Sequence, residues 1–153
     1  MKIAQTLAAG LAAFGLVAAV PASAAPMSSA EKLRRLDIML MVTGLRCRAT
    51  ADNFQADYGR FTTNHIAELN AASNAMKAEL AGRHGAAGAT RALDRLSVIM
   101  ANSYGQGHPW LDCRQLKQVT RGLADARGSE PLVAAADQVL ESTGTPQFAW
   151  LRR

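Results

Sequence analysis

Nowhere in the 153 residues does strict apolar–polar alternation persist, so a sheet built from half-buried strands is excluded. Cys-x-x-Cys is missing, and with it a dithiol redox centre. The chain has no Gly-x-Ser-x-Gly elbow, no phosphate-binding Gly-rich loop and no His-Glu-x-x-His, which removes the commonest serine hydrolase, nucleotide and zinc-protease chemistries. It has no internal repeat and no linker long enough to divide it. Composition and length exclude collagen, a low-complexity disordered chain and a multi-domain enzyme.

What is present begins with a leader. Residues 1–24 carry Lys2, an apolar run from Leu7 to Val20 and the close Pro21-Ala22-Ser23-Ala24. Small residues at 22 and 24 suit a signal peptidase, and the run is shorter than the roughly 20 residues that span hydrocarbon. The expectation is a signal peptide cleaved after Ala24 and a single helical domain over 25–153 in the periplasm or outside the cell. No cysteine stands at the cut for lipid attachment, and no segment of the mature chain is a membrane-span candidate.

The mature chain keeps 16 basic and 12 acidic residues. That excess favours anionic partners without carrying a specific nucleic-acid signal. Its two cysteines, Cys47 and Cys113, enter an oxidising compartment as an even pair, which reads as a disulfide.

Apolar residues recur at helical spacing throughout. A first helix opens at the capping box Ser28–Glu31, runs through Leu33, Leu36, Leu40, Thr43 and Cys47, and is apolar on every side over 38–42, so a central position is expected. Phe54, Tyr58, Phe61, His65, Leu69, Ala72, Met76 and Leu80 predict one long helix over about 52–83, bent at Gly59 and ended by Gly82 and the glycines at 85–88. A third segment spans about 89–104. A fourth takes Pro109 in its first turn, with Cys113, Leu116, Thr120 and Leu123 inward. A fifth follows a Ser129 cap and ends at Gly144 and Pro146, leaving a tail whose Phe148, Trp150 and Leu151 are of the kind that docks onto a body. The fold class is all-α: a bundle of four or five helices with one disulfide.

Two surfaces stand out. Trp110, Arg114, Lys117 and Arg121 recur at steps of four, three and four, a stripe that would hold an anionic polymer, a lipid head group or an acidic partner. Tyr104-Gly-Gln-Gly-His-Pro-Trp110 is a loop dense in Tyr104, His108 and Trp110, able to recognise a ligand or to plug the bundle end. His65 with Glu68 lacks the further converging ligands a zinc site needs. Met39, Met41, Met76 and Met100 fall at core-like positions. No catalytic pair, metal or cofactor is indicated.

The stretches Leu40-Met-Val-Thr-Gly-Leu-Arg-Cys-Arg48, Asp52-Asn-Phe-Gln-Ala-Asp-Tyr58, Ala92-Leu-Asp-Arg-Leu96 and Tyr104-Gly-Gln-Gly-His-Pro-Trp-Leu-Asp-Cys113 resemble a group of short, exported, uncharacterised bacterial helical proteins. Some of that group carry the name S-adenosyl-L-homocysteine hydrolase. That enzyme family is several times longer and uses a dinucleotide-binding turn after a strand, which this chain lacks, so none of its functional residues carries over. The leading expectation is a non-enzymatic exported protein that binds an envelope partner or an anionic polymer. A small envelope enzyme using Glu68 or His108, and a periplasmic chaperone that loosens in acid, are the alternatives. The oligomeric state is not legible in the sequence.

Overall fold

A computed structural model describes residues 26–140. The expected leader over 1–24, the stop at Gly144 and Pro146, and the apolar tail lie outside the described residues. Five helices follow in order: α1 (Ser29–Cys47), α2 (Gln55–Asn64), α3 (Ile66–Ser103), α4 (Cys113–Asp125) and α5 (Ser129–Leu140), with no strand among the described residues. The fold is an all-α bundle cross-linked between Cys47 and Cys113.

Ser28 caps α1 by accepting from the Glu31 backbone N–H at 3.2 Å, which satisfies one of the amides that a helix start leaves without an intrahelical partner. α1 is central because two cores meet on it. Leu36, Met39 and Leu40 join Phe54, Phe61, Leu116, Val119, Leu132 and Val139 on one side, while Ile38 joins Met76, Leu80, Ala92, Leu93 and Met100 on the other. Each large side chain buried this way contributes about 1.5–3 kcal/mol. Met41 departs from the expected core position: at 40% exposure it faces outward from α1.

The expected helix over 52–83 is corrected twice. It breaks at His65 rather than bending at Gly59, and it runs through Gly82 to Gly85. His65 takes φ −116° and ψ 21°, and at this break Asn64 and His65 reach the end of α4: Asn64 Nδ2 donates to the Ala124 carbonyl at 2.8 Å, and His65 Nε2 bonds the Leu123 carbonyl at 2.8 Å. Two carbonyls at the end of α4 thereby gain side-chain partners, and that of Leu123 also accepts from the Ala126 N–H at 3.2 Å. Gly85 interrupts α3 with φ +69° and ψ 163°, a geometry glycine adopts without a Cβ clash.

Pro109 is not in the first turn of the fourth helix. α4 starts at Cys113 under a reciprocal capping box, with Asp112 Oδ1 accepting from the Gln115 N–H and Gln115 Oε1 accepting from the Asp112 N–H. α4 therefore runs from the disulfide to the His65 end. α5 runs back: its first residues Ser129 and Glu130 share a groove with Ser29 and Glu68, and its Val139 meets His108 beside the disulfide. α1 and α5 lie side by side in the same direction, tied by the Lys32–Asp137 ion pair.

Candidate functional site

The Cys47–Cys113 bond joins the last residue of α1 to the first of α4, with Cα atoms 5.7 Å apart. Both half-cystines have basic neighbours in sequence: Arg46 and Arg48 flank Cys47, and Arg114 follows Cys113. Lys117 lies one helical turn beyond Cys113 and donates to the Ala51 carbonyl at 3.4 Å. The disulfide thus gathers four cations at one end of the bundle.

Their counter-charges are few. Arg46 donates to the Gly105 carbonyl at 2.9 Å and Arg48 to the Leu45 carbonyl at 2.9 Å. Among the described residues neither these two nor Lys117 has a carboxylate within 4.0 Å, and Arg114, whose side chain is 72% exposed, only just reaches Asp112 at 4.0 Å. Hydrogen bonds to carbonyls orient guanidinium groups without neutralising them. Arg121 differs. It meets Asp57 at 3.4 Å, and Asp57 also faces Arg60, which in turn faces Asp125. The expected stripe is therefore split: Arg114 and Lys117 belong to the basic end, and Arg121 to a balanced ion-pair cluster on the α2–α4 face.

Trp110 precedes α4 instead of riding on it. Its ring packs against the main core, and its buried Nε1–H has no partner among the described residues. Tyr104 is buried as well, at 7% exposure. Between them lies His108, 6.0 Å from the Tyr104 ring and edge-on to Trp110 at 4.7 Å. Its Nδ1 accepts from the Leu111 N–H at 3.1 Å and the Trp110 N–H at 3.4 Å, while Nε2 bonds the Val139 carbonyl at 3.0 Å. Two donors at Nδ1 place the proton on Nε2, so the ring is neutral. Burial lowers the imidazole pKa from its ordinary value near 6.5, against a smaller opposite effect of the Val139 bond. The three rings of the loop close the bundle end, and the polar atoms of His108 are used within the fold.

Beside these rings a cleft of about 410 Å³ opens against the disulfide, with Arg46, Thr50, Gln106, Gly107 and Asp112 on its walls. Gly107 has φ +107°, a backbone geometry that favours glycine and brings the loop back over α1. Sequence reasoning named the loop and the disulfide but missed Arg46, Arg48 and Thr50 as site residues. The signal was the Arg-Cys-Arg triplet, which becomes a surface only once Cys113 is known to carry Arg114 to it.

The remaining sequence candidates stay apart from this cleft. His65 is 1% exposed, and its Nδ1 lies 4.0 Å from Glu68. No cluster of three or more His, Cys, Asp or Glu residues able to hold a metal occurs among the described residues. Met39 belongs to one core cluster, and Met76 and Met100 to the other. No helix among the described residues is long and apolar enough to cross a membrane. No family model, curated protein or solved structure matches the chain.

Proposed function

We propose that this is an exported, non-catalytic binding protein that grips an anionic polymer at the basic end formed around Cys47–Cys113. The observation that carries this reading is the gathering of Arg46, Arg48, Arg114 and Lys117 by one disulfide, with backbone carbonyls rather than carboxylates as the close partners of three of them. A linear polyanion gains affinity by exchanging its condensed counterions for such cations. The adjoining cleft adds the Gln106 amide, while the Thr50 hydroxyl already donates to the Cys47 carbonyl at 2.8 Å. Export fits the leader and the disulfide, since such bonds persist in oxidising compartments.

The test uses inorganic polyphosphate and the mature chain. Arg114→Glu with Lys117→Glu should weaken binding by roughly tenfold or more at low salt, with unchanged helicity by circular dichroism. Arg121→Gln should weaken it much less, because Asp57 already offsets that charge. Equal losses for the two variants would refute the surface.

A second reading, an acid-responsive chaperone, is favoured by one observation. His108 holds two backbone N–H groups at Nδ1, and a proton added there would turn an acceptor into a donor facing donors. Suppression of client aggregation at pH 5 but not at pH 7.5 would select it.

A further inference from the structure

At the opposite end from the disulfide, α1, α3 and α5 enclose a groove of about 630 Å³. Its floor is Ala30, Leu33, Ala72 and Val133, and its rim carries Glu68, Glu130 and Asp137. Lys32 offsets Asp137. Glu130 has no cation within 4.0 Å among the described residues, and Glu68 faces only the His65 ring at 4.0 Å. An apolar floor under an acidic rim fits an apolar segment that carries positive charge.

We propose that this groove seats residues 147–153 of the same chain, Gln147-Phe-Ala-Trp-Leu-Arg-Arg153, with Phe148, Trp150 and Leu151 supplying the apolar groups and Arg152 and Arg153 meeting Glu130 and Glu68. Composition supports the match, since three large apolar residues and two adjacent arginines fall within six positions. The rim has the opposite sign.

Reach supports it too. Phe148 is eight residues beyond Leu140, a tether that spans up to about 27 Å, whereas Val133 lies only about 10 Å back along α5 from Leu140. Gly144 and Pro146, residue types that favour reversals, stand in that tether. Because α5 runs from the groove toward the disulfide, a reversal after Leu140 carries the segment back past Asp137, then Val133, then Glu130. Tethering adds a high effective concentration, in the mM range for short linkers. Seated there, the segment keeps its own arginines on the acidic end, away from the basic end proposed above to bind polyanions, so the two surfaces have separate tests.

The experiment places p-benzoylphenylalanine in place of Ala134, and in a second protein in place of Ala75, in the full mature chain. Both positions are exposed and line the groove. Irradiation followed by mass spectrometry should give an intramolecular cross-link from each position to residues 147–153, with a yield independent of protein concentration. Glu130→Lys should cut that yield by roughly fivefold, the factor expected of one or two exposed ion pairs, and Arg152→Glu with Arg153→Glu should restore it in the Glu130→Lys background. Cross-links to a second copy, whose yield rises with concentration, or to no part of 147–153 in a protein of unchanged helicity would overturn the proposal.

Discussion

His108 Nε2 donates to the carbonyl of Val139 across 3.0 Å, so one imidazole ties the loop after α3 to the last turn of α5. The same ring accepts two backbone N–H groups through Nδ1, and both nitrogens are therefore committed to holding the disulfide end closed.

Acid should release that tie. Burial lowers the pKa of His108 in the folded chain, so the unfolded chain binds the extra proton first. The contribution of His108 is complete above the ordinary value near 6.5, and it declines as pH falls from there through the folded value. Asp37 acts in the other direction: burial, only partly offset by the Tyr58 hydrogen bond and the nearby Arg34 charge, raises its carboxyl, so its protonation in acid stabilises the fold. Thermal melting followed from pH 7.5 to 5 should show a falling Tm, and His108→Asn should be less stable at pH 7.5 but flatter across the range. An unchanged slope would remove His108 as the cause.

Loss of the disulfide should be costly. Cys47 and Cys113 are 66 residues apart, and closing a loop of that size stabilises the native state by about 4 kcal/mol in the chain-entropy treatment. Cys47→Ala with Cys113→Ala should lower the urea unfolding free energy by that order. The same variant should lose polyphosphate binding even where it is still folded, because the basic end loses its clamp.

Tyr58 donates to Asp37 Oδ1 at 2.9 Å between α2 and α1. Burial, reinforced by that neighbouring carboxylate, holds the Tyr58 phenol above its ordinary range. Tyr58→Phe leaves a half-buried carboxylate short of a donor and should cost about 1–3 kcal/mol in urea unfolding. Tyr58→Phe combined with Asp37→Asn should recover part of that loss.

Gly44 packs on the Phe54 ring, where an added Cβ would stand 3.3 Å from the ring edge. Phe54 is fully buried and cannot withdraw into solvent. Gly44→Val should therefore destabilise by about 1–3 kcal/mol through overpacking, despite the better helix propensity of valine. Gly82→Ala, with open space around it, should be neutral or stabilising.

Much of the fold was legible because burial follows helical period. The stripe from Phe54 to Leu80 holds its inward face: Phe54, Phe61, His65, Ala72, Met76 and Leu80 are all buried. The break within that stripe was not legible. It rests on His65 and Asn64 bonding carbonyls of α4, some 60 residues away, a contact that no local pattern encodes. The start of α4 differs from the expected one for a local reason: Pro109 is compatible with a first helical turn, but the Asp112–Gln115 capping box sets the start at Cys113, four residues later. At the site, Arg114, Lys117 and Arg121 keep their helical spacing, yet Asp57 removes Arg121 from the set. Arg46 and Arg48 enter it only through the disulfide. Charge in a folded chain depends on which partners the tertiary structure supplies, and spacing alone does not give them.

The most direct test of the basic end is the salt dependence of polyphosphate binding. If Arg46, Arg48, Arg114 and Lys117 act together, log affinity should fall with log salt at a slope of about −3, and each cation replaced by Gln should reduce the slope by roughly 0.7. A slope that stays the same when all four are replaced, in a protein with intact helicity and disulfide, would contradict the account.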